Sequence, residues 1–298
     1  MSRGLLITVI FLGAFAFSHA AEPLVTGTEY TKQSWSQETD YARPWHVRVP
    51  EGATEERLPV FIFLHGNGGI GKRALPGFVR RNPTIAAGYI LIFPDGYEKS
   101  WNIVSERSVA DDRGFIEAII EDVITRPNVK PDKITIMGSS NGAALTNQIA
   151  IETKLPNIRN YITSVSHLNT YQHDGTNFKA KGDDNNYTEV ATPQTGKRIL
   201  NISGAEDTLV PYAGGPSPRI PAKDATLPFV DAEESIYLWA KHMGYEGEKL
   251  TEPTATEGSM EIFSYLDGDV VHYKLTEQGH GATGHIPEKS LLDFLERE

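Results

Sequence analysis

The sequence predicts an α/β fold in which helices lie on both faces of a mostly parallel central sheet. Short, continuously apolar segments alternate along the chain with segments in which apolar residues recur at helical spacing. An uninterrupted apolar strand is typical of a sheet that is covered on both faces, and parallel strands are usually joined by helices. Residues 60–64 and 89–93 are the clearest such strands, and the second ends in the turn sequence Pro94-Asp95-Gly96.

The remaining predicted elements continue this alternation. The helix at 111–125 has two carboxylates, Asp111 and Asp112, in its first turn, and its apolar residues recur about every 3.6 residues. The other predicted segments are two N-terminal strands (23–30 and 43–49), strands at 133–137, 161–165 and 198–203, helices at 143–152, 232–243 and 288–297, and a hairpin of 260–266 with 270–275.

The first residues have the pattern of a signal peptide. Arg3 precedes an apolar stretch at 4–17, and Ser18-His19-Ala20 places small residues at the two positions that signal peptidase reads. The stretch is shorter than the roughly 20 residues that a membrane-spanning helix needs. We therefore expect residues 1–20 to be removed, and residues 21–298 to form a single domain that is secreted or periplasmic and monomeric.

The composition excludes several kinds of site and partner. The chain has no cysteine, which rules out a cysteine nucleophile, a Cys-ligated zinc ion and an iron–sulfur cluster. Its formal charge is −11 at pH 7, which argues against nucleic acid, because phosphate binding needs clustered Lys and Arg. The same charge argues against binding to an anionic membrane. We interpret His167, His173 and Asp174 as separate polar loop residues rather than as a metal cluster.

Ser140 is the candidate nucleophile, in the sequence Gly138-Ser139-Ser140-Asn141-Gly142. This five-residue segment lies between a predicted strand and a predicted Ala-rich helix. A sharp strand–turn–helix connection lifts a central serine clear of the sheet at a helix N-terminus, and the flanking glycines avoid collisions there. The Gly-x-Ser-x-Gly pattern also occurs by chance as a structural turn. The strand–helix setting favours a nucleophile, and Ser140 rather than Ser139 has the middle position.

A serine hydroxyl needs a base, which in turn needs an acid to orient it. On this strand–turn–helix arrangement the partners follow the serine in the chain order Asp or Glu, then His. Asp207 comes shortly after the strand at 198–203, with Glu206 as the alternative acid. His280 lies between two glycines after the strand at 270–275 and is favoured as base, with His285 as the alternative.

The sequence Leu64-His65-Gly66-Asn67-Gly68-Gly69 predicts one side of an oxyanion hole, because it follows an early strand. We assign one backbone N–H to Asn67, with Gly68 as the alternative, and the other to Asn141. Trp101 is the candidate substrate-binding residue; the alternative, a position in the core, is the favoured interpretation of its pattern. This mechanism requires no metal and no cofactor. A dinucleotide-binding interpretation of the glycines leaves Ser140 unexplained, so we disfavour it.

These motifs resemble those of the α/β-hydrolase family that includes polyhydroxybutyrate depolymerases, feruloyl esterases and acetylxylan esterases. The resemblance implies the α/β-hydrolase fold and hydrolysis of carboxylic esters, and it supports Asp207 over Glu206. The seven matching segments, in chain order, are Leu64-His65-Gly66, Phe93-Pro94-Asp95-Gly96, Ser100-Trp101-Asn102, Asp111-Asp112-Arg113-Gly114-Phe115, Gly138-Ser139-Ser140-Asn141-Gly142, Asp207 with Val210-Pro211-Tyr212, and Trp239-Ala240.

The sequence departs from the family at the candidate catalytic histidine. The family often has Gly-Gly-His-x-Trp-Pro there, whereas this chain has Gln278-Gly279-His280-Gly281-Ala282. The substrate therefore stays open among small esters and ester-decorated polymers, of the feruloyl or acetyl polysaccharide or the polyester type. Alternatives are a serine peptidase and a non-catalytic binding protein on the same fold. The long segments 169–196 and 213–229 are either a lid or substrate wall, or plain surface loops.

Overall fold

The structure is a computed structural model that describes residues 21–53, 56–223 and 225–297. The signal peptide predicted at 1–20 lies outside the described residues. Within the described ranges, no helix combines the length and the apolar character that crossing a bilayer requires.

The described chain alternates strands and helices, as the sequence predicts. The strands are β1 (Gly27–Trp35), β2 (Glu38–Arg48), β3 (Leu58–Leu64), β4 (Ile90–Pro94), β5 (Val129–Ser139), β6 (Ile158–Ser164), β7 (Arg198–Gly204), β8 (Gly215–Pro221), β9 (Thr226–Phe229), β10 (Ala255–Glu257), β11 (Met260–Tyr265) and β12 (Val270–Leu275). The helices are α1 (Gly71–Arg81), α2 (Pro83–Gly88), α3 (Asp112–Val123), α4 (Asn141–Glu152), α5 (Ala232–His242) and α6 (Glu288–Leu295).

Ten of the described strands form one sheet in the order β1-β2-β4-β3-β5-β6-β7-β12-β11-β10. The central strands from β4 to β12 in this order pair in parallel, and antiparallel strands complete both edges. The predicted mostly parallel sheet is thus confirmed. Because parallel strands end at the same edge of a sheet, the segments after β3, β5, β7 and β12 meet there.

Both faces of the sheet are covered by helices, as predicted. Alternate residues of β3 point to opposite faces: Ile62 packs in one apolar cluster, whereas Phe61 and Phe63 pack in the other. The first cluster includes apolar residues of α3, α4 and α5, and the second includes those of α1, α2 and α6. The strands are therefore apolar on both sides, which explains their uninterrupted apolar sequences.

Several elements were not predicted from the sequence. The helices α1 and α2 were missed because α1 has no side-chain N-cap and contains Pro76, and because α2 is only six residues long. The hairpin of β8 and β9 lies inside the predicted loop 213–229, where proline and glycine obscure the strand pattern. The predicted N-terminal strand 23–30 is wrong in its bounds, since β1 and β2 form a longer hairpin whose outer part is polar and exposed.

Candidate active site

Ser140 lies on the sharp turn between β5 and α4, with φ 53° and ψ −117°. This is a strained backbone conformation for a residue other than glycine. The N–H of Ser140 donates to the carbonyl of Ser164 at the end of β6, at 2.8 Å, which helps to hold the turn. A Cβ atom on Gly138 would collide with the backbone of Gly142, and one on Gly142 would collide with the carbonyl of Leu64. Both glycines are therefore required by close backbone packing.

Ser140, His280 and Asp207 form a continuous chain of hydrogen bonds. The Oγ of Ser140 lies 2.8 Å from Nε2 of His280, and Nδ1 of His280 lies 2.7 Å from Oδ2 of Asp207. The other carboxylate oxygen of Asp207 accepts from the N–H groups of Leu209 (2.9 Å) and Val210 (3.0 Å). The Asp207 side chain is only 2% exposed. Its orientation is thus determined by the backbone, and it in turn orients the imidazole.

The geometry distinguishes the predicted residues from their alternatives. His280 is the histidine whose ring bonds both Ser140 and Asp207, whereas His285 follows a short 3-10 helix, Ala282–Gly284, and is exposed. Glu206 is also exposed, and it is Asp207 that contacts the imidazole. The arrangement is the one that a Ser–His–Asp triad requires.

Thr283 was not identified from the sequence, yet it connects the histidine loop to the nucleophile turn. Its Oγ1 lies 2.7 Å from Oγ of Ser164 and 3.0 Å from Oγ of Ser139. The loop is also joined to the end of β7, because the N–H of Glu206 donates to the carbonyl of Gln278 at 2.9 Å. A lone threonine in a loop carries no sequence signal for such a contact.

The loop after β3 presents Asn67 beside Ser140. The N–H of Gly68 donates to the carbonyl of Lys99 at 2.7 Å and is therefore occupied. This leaves Asn67, which lines the same cavity as Ser140 and Asn141. The N–H of Asn141 is the first in α4 and so has no acceptor within the helix. The predicted oxyanion pair, Asn67 and Asn141, fits this geometry better than Gly68 does.

His65 supports this loop through both of its ring nitrogens. Its Nε2 accepts from the N–H of Gly96 at 3.0 Å, so its Nδ1 carries the proton and donates to the carbonyl of Gly66 at 2.8 Å. Burial lowers the pKa of His65, which keeps the ring neutral in this role. The ring of Trp101 packs against that of His65 at a tilt of 34°, with 4.9 Å between centroids, and its Nε1 donates to the carbonyl of His65 at 2.8 Å.

Trp101 lies both in the core and at the candidate substrate cavity. Its side chain is almost completely buried in the core, and the residue also lines the cavity at Ser140. The side-chain amide of Asn141 bonds the backbone of Trp101 at both polar groups. The sequence pattern indicates a role only for the backbone N–H of Asn141; the contact made by its side chain carries no sequence signal.

The cavity beside Ser140 has a volume of about 340 Å³, within the range of small-ligand sites. Its walls come from the segment after Trp101, from the start of α4 and from the hairpin of β8 and β9. The apolar residues that line it are Trp101, Ile103, Val104, Ala144, Leu209, Val210, Ile220, Pro221, Leu227 and Phe229.

The segments 169–196 and 213–229 differ in their relation to this cavity. The second supplies one wall through the hairpin of β8 and β9. The segment 169–196 packs behind the wall that follows Trp101, where the hydroxyl of Tyr187 donates to the carbonyl of Ile103 at 2.9 Å. Asn169 also pairs with Phe229 in an isolated antiparallel bridge, which connects the two segments.

No family model matches the sequence. Two curated relatives are similar to parts of it. Feruloyl esterase B of Piromyces equi is 27% identical over 207 residues, which cover 68% of this chain and 36% of that protein. An acetylxylan esterase of Coprinopsis cinerea is 29% identical over 104 residues, which cover 32% of this chain and 28% of that protein. The chain thus spans about a third of the length of the curated relatives it matches.

The fold is similar to that of a solved acetyl xylan esterase from Aspergillus awamori. The TM-score is 0.58 at 17% sequence identity, and the match covers 91% of this chain and 99% of that one. The resemblance inferred from the motifs is therefore confirmed for feruloyl and acetylxylan esterases. The chain has the α/β-hydrolase fold and is similar in sequence to feruloyl and acetylxylan esterases.

Proposed function

We propose that this protein is a serine esterase that cleaves carboxylic esters through an acyl-enzyme on Ser140. The observation that carries the proposal is the hydrogen-bonded chain from Ser140 through His280 to Asp207, beside a cavity with apolar walls. The similarity to feruloyl and acetylxylan esterases supports an ester as the substrate.

The proposed reaction has two steps. The Oγ of Ser140 attacks the ester carbonyl while Nε2 of His280 takes its proton, and Asp207 stabilises the imidazolium that forms. The N–H groups of Asn67 and Asn141 hold the negative oxygen of the tetrahedral intermediate. When the intermediate collapses, His280 gives the proton to the leaving alcohol. Water, deprotonated by His280, then releases the carboxylic acid and restores Ser140.

Hydrolysis of 4-nitrophenyl acetate and butyrate tests the proposal. Ser140→Ala is expected to lower kcat by at least about a thousandfold, because it removes the nucleophile. The matched control is Ser139→Ala, which removes the neighbouring hydroxyl and is expected to cost less than about tenfold. Activity of Ser140→Ala close to that of the wild type would overturn the assignment of the nucleophile.

Two further measurements separate the esterase from its alternatives. A fluorophosphonate probe is expected to label the wild type at Ser140, and failure to label would favour a non-catalytic binding protein. Peptide 4-nitroanilides are expected to be cleaved at least about a hundredfold more slowly than esters of matched acyl groups. The opposite preference would make the protein a peptidase.

We further propose that the protein is exported and acts on ester-decorated polysaccharides or polyesters. The signal-peptide pattern at 1–20 and the similarity to feruloyl and acetylxylan esterases support this. N-terminal sequencing of the exported protein is expected to begin at Ala21. Release of ferulate, acetate or hydroxybutyrate from the corresponding polymers identifies the acyl group, and activity on small esters alone would contradict a polymeric substrate.

A further inference from the structure

Two arginines, Arg107 and Arg219, line the cavity that contains Ser140. Arg107 follows Trp101 on one wall, and Arg219 lies on β8 in the other, so the two come from different walls of the same cavity. Both residues are exposed. Among the residues that the structure describes, no carboxylate forms an ion pair with either guanidinium, whereas Arg43, Arg113, Arg126 and Arg198 all have one.

The charge of the cavity is opposite to that of the whole chain. The chain has 39 acidic and 28 basic residues, yet of the described residues that line the cavity, none is Asp or Glu. Two acids close in sequence to residues of the cavity walls are already engaged: Glu106 pairs with Lys181, and Asp207 pairs with His280. Two exposed guanidinium groups that pair with no described carboxylate, on the walls of one largely apolar cavity, favour a bound anion, because low-dielectric walls focus the field of the two charges.

The backbone at both arginines is held by buried polar side chains. The N–H of Arg107 donates to Oδ1 of Asn102 at 3.3 Å. The backbone N–H of Asn102 in turn donates to the carboxylate of Asp112 at 2.6 Å. The N–H of Arg219 donates to Oγ of Ser217 at 3.3 Å, and this hydroxyl donates to the carbonyl of Leu209 at 2.7 Å. The two cations are therefore carried on defined segments of the cavity walls.

We propose that the site takes esters that carry a carboxylate, which Arg107 and Arg219 bind. A guanidinium presents parallel N–H donors that match the two oxygens of a carboxylate. The inference rests on the proposed esterase function and names its substrate class. The carboxylate belongs either to the acyl part of the ester or to its alcohol part, and the same pair of arginines serves both.

Two matched pairs of substrates test the proposal. For the acyl part, 4-nitrophenyl hydrogen glutarate is compared with its neutral methyl ester; for the alcohol part, 3-acetoxybenzoate is compared with methyl 3-acetoxybenzoate. The wild type is expected to prefer the carboxylate in at least one pair by about tenfold or more in kcat/KM, the usual effect of a charge-assisted hydrogen bond. The preferred pair shows which part of the ester carries the charge.

The variants Arg107→Gln and Arg219→Gln are expected to lower this preference ratio by about tenfold each, mainly through KM. Arg80→Gln is the control, because it removes the same charge from an exposed position in α1, outside the cavity. It is expected to leave the ratio unchanged. The preference of the wild type is also expected to fall at high salt, which screens the arginines.

The outcomes separate this inference from the proposed function. A wild type that hydrolyses the neutral esters but shows no preference for a carboxylate would overturn the inference and leave the esterase intact. A preference that survives in both arginine variants would also overturn it. A wild type that hydrolyses none of the four esters would contradict the esterase proposal itself.

Discussion

The side-chain amide of Asn141 makes two hydrogen bonds to the backbone of Trp101. Its Oδ1 accepts from the N–H of Trp101 at 2.7 Å, and its Nδ2 donates to the carbonyl of Trp101 at 2.9 Å. The residue directly after Ser140 therefore positions a cavity wall while its backbone N–H stands at the predicted oxyanion site. One residue thus links the nucleophile turn to the substrate pocket.

We expect Asn141→Ala to lower kcat/KM for short esters by about 10- to 100-fold, because the cavity wall and the oxyanion N–H lose their common support. Asn186→Ala, at an exposed position outside the cavity, is the control. Steady-state kinetics and the melting temperature are measured together. An Asn141→Ala enzyme with unchanged kinetics would show that the two hydrogen bonds have no part in catalysis.

We expect Asp207→Asn to lower kcat by about a thousandfold or more while the fold is retained. The amide oxygen still accepts from Leu209 and Val210, but the amide no longer stabilises the imidazolium of His280. Glu206→Gln changes the charge of the exposed neighbour and is expected to cost less than about threefold. Equal losses in the two variants would contradict the assignment of Asp207.

Gly142→Ala tests the packing of the nucleophile turn. The added methyl group would collide with the carbonyl of Leu64, so we expect a loss of about 2 kcal/mol or more in the free energy of unfolding, together with most of the activity. Gly281→Ala is the matched control, since a Cβ there meets no atom and the residue has φ −86°. Urea denaturation of both variants checks the prediction, and similar stabilities would refute it.

Two buried histidines are expected to lower the free energy of unfolding in acid. Burial lowers the pKa of His167 to about 4, opposed by the nearby Asp231 and Asp207, and lowers that of His272 to about 3. Both values lie below the unfolded value of about 6.5, so the unfolded chain binds more protons as the pH falls below that value. Their contribution is therefore complete above about pH 6.5 and is lost progressively as the pH falls, towards about 4 for His167 and about 3 for His272.

Urea denaturation at pH 7.5 and pH 4.5 measures this loss. We expect each histidine to account for about 2 kcal/mol of the difference in unfolding free energy. His167→Gln removes one of the titrating groups and is expected to shrink the difference by that amount, whereas His285→Gln, at an exposed position, serves as the control. A difference that His167→Gln leaves unchanged would show that this ring does not titrate on unfolding.

The order of strands and helices was predictable because each depends on a local apolar pattern. The helix α3 is an example: its apolar spacing and its N-cap Asp111, which accepts from the N–H of Gly114, lie within one short segment. The role of Asp112 was not predictable. The local pattern indicates only a carboxylate of the first helical turn, but Asp112 also forms a buried ion pair with Arg43 at 2.6 Å, 69 residues away in the chain.

The sequence by itself determined the α/β alternation, the Ser140 turn and the candidates for its acid and base. All of these depend on neighbouring residues, whose spacing decides which backbone conformation is accessible. Only the tertiary structure decided that His280 rather than His285 lies beside Ser140, across 140 residues of chain. The tertiary structure also showed that the N–H of Gly68 donates to the carbonyl of Lys99, and that the side chain of Asn141 bonds the backbone of Trp101. It showed as well that two arginines line one cavity. Such contacts join distant segments, and they form only once the sheet brings the ends of its parallel strands together.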